Sequence, residues 1–211
     1  MRTVIPPMVD TRRPIILASE SSARRAMLVQ AGVEFSVQPA QIDEEAVRDA
    51  WLRRDPPAKP AEIAQALAQD KAEAVSVKNS GALVIGSDQI LNLGPLIVAK
   101  STDLEMARAT LLQLRGRTHQ LHSAISIAID GQAVCGCVDK VNLTMRQFSD
   151  VFLDQYVEIE GEGLLAAVGA YKLEGRGLQL FEKIDGDYFT ILGMPLLPLL
   201  AALRLRGGIA S

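Results

Sequence analysis

The stretch Ile15-Ile16-Leu17-Ala18-Ser19-Glu20-Ser21-Ser22-Ala23-Arg24-Arg25 decides the fold of this 211-residue chain. Its apolar start predicts a short strand, and the serines that follow predict a turn and the capped start of a helix over 23–31. Gly32 is typical of the residue at which such a helix ends. A strand followed directly by a helix is a building unit of α/β proteins.

The start of this helix also indicates an anion site. Its free N–H groups and positive dipole end are suited to an anion. Arg24 and Arg25 lie in the first turn, where cations cost about a few tenths of a kcal/mol unless something negative, such as a phosphate, neutralises both. A plain helix cap followed by two solvated arginines explains the segment equally well, and both interpretations stay open.

The rest of the chain predicts an α/β protein with a mixed sheet. Residues 15–206 are expected to form a single domain, after a flexible leader over 1–14. Asp130-Gly131 predicts a hairpin turn. The expected helices are 61–79, 103–115, 149–160 and 195–205, and the expected strands are 35–39, 82–85, 118–129, 132–146, 170–173 and 178–184.

Composition excludes several classes of protein. With 22 Lys and Arg against 25 Asp and Glu, the net charge of −3 argues against a binder of nucleic acid. No stretch approaches the ~18 apolar residues of a membrane span and the N-terminus lacks an apolar signal core, so we expect no membrane partner and a cytoplasmic location. Cys135 and Cys137 are expected to be small core residues in a reducing compartment rather than a zinc or disulfide site.

A candidate acid follows the strand Val84-Ile85. Gly86-Ser87-Asp88 is expected to end this strand and to place a carboxylate at its carboxyl end, where open α/β sheets bind ligands. Such an acid can hold a divalent metal or accept a proton from water. A buried aspartate that caps a turn is the alternative.

Two further patterns carry polar side chains. Asp70 and Lys71 fall inside the apolar stripe of the helix over 61–79, so Lys71 either snorkels or points into a cleft toward a phosphate. His119 and His122 lie three apart in a strand and face opposite sides, so they are expected to be structural rather than ligands of one ion.

Over residues 15–203 these segments together resemble the Maf family of nucleoside triphosphate pyrophosphatases. Ser22 and Ser101 stand where the family has Pro, and Ala167 stands at a position that is often Lys. The matching motifs are Leu17-Ala18-Ser19-Glu20-Ser21-Ser22-Ala23-Arg24, Glu44, Lys71-Ala72, Gly86-Ser87-Asp88, Gly116-Arg117-Thr118-His119, 169–175, 184–188 and 192–196.

The resemblance implies a fold, a reaction and a set of site residues. The fold would be a mixed twisted sheet with flanking helices, forming two lobes around a central cleft. The reaction would be hydrolysis of a nucleoside triphosphate between its α- and β-phosphates. The implied residues are Asp88 as proton acceptor, Ser19, Arg24, Lys71 and Lys100 for the triphosphate, and Asp88 with Glu44 for a Mg²⁺ or Mn²⁺ ion.

The positions that select the base would be Ala23, Gln89 and Glu174. Gln with Glu resembles the branch that prefers 7-methyl-GTP, and the Glu174 carboxylate can accept hydrogen bonds from N1–H and N2–H₂ of guanine. That branch often has Trp at the position of Ala23, where a ring would stack on the cationic base.

Two alternatives remain open. The family has been linked to arrest of septum formation, so the chain could be a nucleotide-binding regulator that acts through protein partners. The apolar stretch over 194–205 suits a homodimer interface, and core packing explains it as easily.

Overall fold

The computed structural model describes residues 12–210, so most of the expected leader over 1–14 lies outside the described residues. The strands are β1 (Ile15–Leu17), β2 (Ser36–Val37), β3 (Leu83–Leu93), β4 (Leu96–Val98), β5 (Thr118–Ile129), β6 (Gln132–Met145) and β7 (Phe181–Asp185). The helices are α1 (Ser22–Gln30), α2 (Glu44–Leu52), α3 (Pro60–Ser76), α4 (Leu104–Leu114), α5 (Asp150–Glu160), α6 (Tyr188–Ile191) and α7 (Leu196–Leu205), with 3-10 turns at Gly161–Ala166 and Arg176–Leu180.

Within this part of the chain, seven strands form one sheet in the order β2-β1-β3-β5-β6-β7, with β4 paired to β3. β1 is parallel to both β2 and β3. The remaining pairs are antiparallel. The prediction of an α/β fold with a mixed sheet is therefore confirmed.

One edge of β3 is left open in its middle. β1 pairs with this strand from Leu83 to Ile85, and β4 pairs with it from Leu91 to Leu93. The opposite edge pairs with β5 continuously from Val84 to Asn92. Residues 86–90 consequently lie on a sheet edge between the end of β1 and the start of the β4 pairing.

The apolar core is divided at the same level. Leu83 and Ile85 belong to a cluster with α1 and α7, whereas Leu91 and Leu93 belong to a cluster with α4 and α5. The long strands β3, β5 and β6 cross both clusters. Two further clusters involve α3, one with Ile90 and one with Val84. The open part of the β3 edge lies between the cluster with α1 and α7 and the cluster with α4 and α5.

Several local predictions are confirmed. Asp130 and Gly131 turn the β5–β6 hairpin with φ of 49° and 83°. Ser149 caps α5 by accepting a hydrogen bond from the N–H of Phe152 at 3.2 Å. The expectation of core cysteines holds in part, since Cys135 and Cys137 are half-buried and pack against the cluster with α1 and α7.

Other predictions are wrong. β3 does not end at Gly86-Ser87-Asp88 but runs on to Leu93, because these residues pair in register with 124–126 of β5. Residues 170–173 form a loop, since Ala170 has a positive φ of 55°, and 178–180 belong to a 3-10 turn. Helix α2 was not predicted.

No helix among residues 12–210 is both long and apolar enough to cross a bilayer.

Candidate active site

A cleft of about 630 Å³ opens along the unpaired part of the β3 edge. Its walls are the β1–α1 turn, the start of α2, Lys71 of α3, the segment that leads from β4 to Lys100, the loop over 166–174 and the turn over 191–193. Asp88 lies on the β3 side of the cleft and is only 7% exposed.

Asp88 and Glu44 contact the same ammonium group. Lys71 Nζ lies 2.7 Å from Oδ1 of Asp88 and 2.8 Å from Oε1 of Glu44. Lys71 is buried, so its side chain points into the cleft and does not snorkel to the surface. Close packing makes this possible, since a Cβ built on Gly86 would lie 2.0 Å from the backbone oxygen of Ala68 in α3.

Burial controls the protonation of Asp88. Desolvation raises its pKa, whereas the nearby cations Lys71 and Arg24 act in the opposite direction. A carboxylate with a raised pKa is a stronger base than an ordinary aspartate. Asp88 is a buried carboxylate at the cleft, in contact with one cation.

Arg24 ties three chain segments together. Its Nε donates to the carbonyl oxygen of Gly193 at 3.0 Å, and its Nη1 donates to the carbonyl oxygen of Ser87 at 2.9 Å and to Oγ of Ser19 at 3.1 Å. Burial lowers the pKa of Arg24, but a guanidinium keeps its proton in proteins. With Nε and Nη1 engaged, Nη2 is the nitrogen left for a ligand.

The other residues expected at the site also line the cleft. Ser19 is buried, Ala23 and Gln89 are half-buried, and Lys100 and Glu174 are exposed. The Nε2 of Gln89 donates to the carbonyl oxygens of Thr190 and Ile191 at 3.1 and 3.0 Å, which fixes the direction of its amide.

Two cations at the cleft were missed by the sequence reasoning. Arg48 lies four residues after Glu44 on α2, and this spacing places both on one face of the helix. The cap could have revealed α2, since Asp43 accepts a hydrogen bond from the N–H of Ala46 at 2.9 Å. Lys172 lies inside the quoted motif over 169–175 but was given no role.

Two expectations about polar residues are corrected. Arg25 is exposed and lies in a separate groove beside Val29 and Glu34, so one anion in the cleft cannot neutralise both arginines. Asp70 is half-buried and is absent from the cleft wall, because one residue along a helix rotates the side chain by about 100° from Lys71.

Both histidines make structural contacts on opposite faces of β5. His119 Nε2 lies 2.8 Å from the hydroxyl of Tyr171, and His122 Nε2 lies 2.9 Å from Oδ1 of Asn92. Desolvation lowers the pKa of His119 to about 4, so this ring is neutral near pH 7.

The family described as Maf-like protein matches residues 14–206. The chain belongs to the Maf family.

Curated relatives of this Maf-like protein match along nearly their whole length. A nucleoside triphosphate pyrophosphatase of Caulobacter vibrioides is 50% identical over 93% of this chain and 97% of its own. A 7-methyl-GTP pyrophosphatase of Brucella abortus is 50% identical over 90% of this chain and 94% of its own. A 7-methyl-GTP pyrophosphatase of Mesorhizobium japonicum is 49% identical over 92% of this chain and 97% of its own.

Among solved structures, a nucleoside-triphosphatase described as a dITP/XTP pyrophosphatase from Mycobacterium abscessus matches the Maf-like chain with a TM-score of 0.41 and 15% identity. The match covers 92% of this chain and 94% of the other.

Asp88 and Glu44 are the two carboxylates of this Maf-like protein that could bind a metal ion together. Among residues 12–210, no group of three or more His, Cys, Asp or Glu side chains is placed to hold a metal ion. The carboxylates of Asp88 and Glu44 both contact the Lys71 ammonium, so the two acids reach one common position that this ammonium occupies. Two carboxylates suit Mg²⁺ that brings phosphate oxygens and water as its other ligands.

Proposed function

We propose that this Maf-like protein hydrolyses nucleoside triphosphates between the α- and β-phosphates and releases a nucleoside monophosphate and pyrophosphate. One observation carries the proposal: a buried carboxylate, Asp88, faces a cleft lined by five cationic side chains. These cations are Arg24, Arg48, Lys71, Lys100 and Lys172. The names of the relatives, which specify pyrophosphatases of nucleoside triphosphates, support the same reaction.

Asp88 would act as the proton acceptor. A water molecule placed beside its carboxylate attacks the α-phosphorus, and the water proton passes to Asp88. The bond between the α-phosphorus and the bridging oxygen breaks, and the electron pair leaves with pyrophosphate. Burial favours this step because it raises the pKa of Asp88.

The cations would neutralise the triphosphate. The cleft wall carries five cationic and four acidic side chains, although the whole chain has a net charge of −3. Lys71, Lys100 and Lys172 supply point charges to phosphate oxygens. Arg24 would contribute mainly by holding Ser19 and the turn at Gly193 in place, with Nη2 as its one nitrogen left for phosphate.

A divalent cation, Mg²⁺ or Mn²⁺, would be held by Asp88 and Glu44 when the nucleotide binds. It would supply charge neutralisation and polarisation of phosphate oxygens. Lys71 would then exchange its contact with these carboxylates for a contact with phosphate.

The base would be selected by Gln89, Glu174 and Ala23, which line one cleft with Asp88. We propose a preference for guanine-type bases, including 7-methyl-GTP, because the exposed Glu174 carboxylate can accept hydrogen bonds from N1–H and N2–H₂. Ala23 offers no ring to stack on a methylated cationic base. We therefore expect a smaller preference for 7-methyl-GTP over GTP than a stacking residue would give.

The experiment is a substrate panel with one isosteric variant. Wild-type protein, Asp88→Asn and the matched control Asp185→Asn, which changes an exposed aspartate away from the cleft, are assayed with 7-methyl-GTP, GTP, UTP and TTP. A general base contributes about 10²- to 10⁴-fold, so Asp88→Asn should lose at least about 100-fold in kcat while the control stays at wild-type level.

Products and preference decide between the outcomes. Equal amounts of monophosphate and pyrophosphate support the proposal, whereas diphosphate with inorganic phosphate contradicts it. Full turnover in Asp88→Asn would remove Asp88 from its role, and a preference for UTP or TTP would reject the argument from Glu174.

A homodimer and a cytoplasmic location stay predictions. Leu196, Leu199 and Leu203 of α7 are buried in the apolar cluster that also contains α1, so core packing accounts for the inner face of this helix. Leu197 and Leu205 are 64% and 85% exposed on its outer side. Sedimentation of the whole chain measures whether these residues mediate self-association.

A further inference from the structure

None of the residues in the motif Gly116-Arg117-Thr118-His119 lines the cleft. His119 is nevertheless completely buried in β5, and its Nε2 lies 2.8 Å from the hydroxyl of Tyr171. A buried imidazole is costly unless its hydrogen bonds are made, and Nδ1 of His119 is buried without a partner among the described residues. The bond to Tyr171 is therefore the one side-chain hydrogen bond that holds this ring.

Tyr171 belongs to the loop over 167–175, which forms one wall of the cleft. Its ring packs edge-on against Phe181 with 4.9 Å between ring centroids. The preceding Ala170 has a positive φ of 55°, and a Cβ on Gly169 would lie 2.3 Å from the Tyr171 ring. The loop is therefore folded tightly around this one side chain.

The same loop carries two charged side chains of the cleft wall. Lys172 follows Tyr171 directly, and Glu174 lies two residues further on. A displacement of the Tyr171 backbone would also displace Lys172, its neighbour in the chain. The hydroxyl of Tyr171 is tied to β5, which belongs to the continuous part of the sheet.

We propose that His119 is a positioning residue: through its hydrogen bond to Tyr171 it holds the loop over 167–175 in the conformation that presents Lys172 and Glu174 to the nucleotide. The inference rests on the proposed function for its kinetic consequence, but its structural consequence can be measured without any substrate. Because the pKa of His119 is lowered to about 4, the bond joins two neutral groups near pH 7.

The chain offers a matched control in the same strand. His122 is also buried, and its Nε2 is hydrogen-bonded to Oδ1 of Asn92 at 2.9 Å, on the other face of β5. Replacing His122 by Leu removes a comparable buried bond without touching Tyr171. Effects of general destabilisation should appear in both histidine variants, whereas loss of loop positioning should appear in only one.

The first measurement is amide hydrogen exchange of the loop over 167–175 without nucleotide. His119→Leu and Tyr171→Phe should each speed exchange in this loop by about 3- to 10-fold, which corresponds to the loss of one neutral hydrogen bond. The double variant should show about the same increase as either single variant, because both changes remove the same bond. His119→Gln can still donate to the Tyr171 hydroxyl and should restore much of the protection, and His122→Leu should leave this loop unchanged.

The second measurement is steady-state hydrolysis of GTP. His119→Leu and Tyr171→Phe should raise KM by about 3- to 10-fold and change kcat by less than about twofold, because Asp88 is untouched. Loop exchange that is unchanged in His119→Leu, or that is equally fast in His122→Leu, would overturn the inference. If wild-type protein hydrolyses no nucleoside triphosphate, the proposed function fails, and the exchange data still decide whether His119 positions the loop.

Discussion

Replacing Gly86 by Ala tests the packing that brings Lys71 to Asp88. A glycine inside a strand is ordinarily less favourable than alanine by about 0.5–1 kcal/mol, so the simple expectation is a gain in stability. Here the added Cβ would lie 2.0 Å from the carbonyl oxygen of Ala68 and 2.7 Å from the amide nitrogen of Ala72. Both atoms belong to the backbone of α3, so they cannot move unless the helix moves.

The expected loss follows from this geometry. Overpacking a core costs about 1–3 kcal/mol, and a collision with backbone should reach the upper end, about 3 kcal/mol. For a chain of this size that lowers Tm by about 6–12 °C. Outward movement of α3 should also lengthen the contact between Lys71 and Asp88 and raise KM for the nucleotide.

A second strand glycine supplies the control. A Cβ on Gly136 of β6 would lie 2.5 Å from Nε2 of Gln65, at the end of a flexible side chain that can swing away. The nearest backbone atom, the carbonyl oxygen of Ile125, would lie 3.0 Å away, which is a tight contact but much longer than the 2.0 Å at Gly86. Gly136→Ala should therefore change the free energy of unfolding by less than about 1 kcal/mol. Urea and thermal unfolding of both variants provide the measurement. The reasoning is refuted if Gly86→Ala is as stable as wild type, or if both glycine variants lose the same stability.

Two other predictions concern buried polar groups. The pKa of His119 is about 4 in the folded protein against an ordinary 6.5, so between these pH values only the unfolded chain binds the proton. The free energy of unfolding should therefore fall by about 2 kcal/mol between pH 7.5 and pH 5. Urea unfolding at both pH values measures this loss, which should be smaller in His119→Gln. In Arg24→Lys the new side chain cannot bond both the Ser87 and the Gly193 carbonyl, so the free energy of unfolding should fall by about 2 kcal/mol in the same assay. The control Arg25→Lys changes an exposed residue and should alter it by less than about 0.5 kcal/mol. An equal loss in both variants would contradict the argument.

Local chemistry made much of the fold predictable. The helices that became α4 and α5 carry an apolar stripe and a side-chain cap, Asp103 or Ser149, and both signals lie within a few residues of one another. The β5–β6 hairpin was predictable because Asp130-Gly131 favours the positive φ angles of its turn.

The length of β3 was not predictable from local pattern. Gly86-Ser87-Asp88 has the composition of a turn, yet backbone pairing with 124–126 of β5 holds these residues in the strand. That pairing joins residues nearly 40 positions apart, and no short window of sequence contains it. The predicted strand over 170–173 is wrong for a related reason. This apolar segment forms a loop because its side chains, such as that of Tyr171, pack against elements distant in sequence.

The site was predictable in its motif residues and less so in its remaining charges. Asp88 and Lys71 stood out as polar groups on otherwise apolar elements, and the structure brings them within 2.7 Å. Arg48 lies on a helix that was not predicted, and Lys172 stands between the buried Tyr171 and Leu173 in a segment expected to be a strand. Both reach the cleft through a path of the chain that the local pattern did not indicate. Arg24 was expected to bind the triphosphate, but its hydrogen bonds to two carbonyl oxygens show that it also joins chain segments on different sides of the cleft.

The turn between β1 and α1 creates the opening beside Asp88. β1 ends at Leu17 because Ser19 and Ser21 turn the chain into α1, and this early end leaves the β3 edge uncovered beside Asp88. The same turn places Arg24 so that its guanidinium holds the Ser87 carbonyl, a backbone acceptor on the exposed part of that edge. A longer β1 would pair with residues 86–90 and bury Asp88 behind a strand, without access for a nucleotide. In the proposed reaction the serines that end β1 would therefore contribute by keeping the cleft open beside Asp88, without taking part in the chemical step.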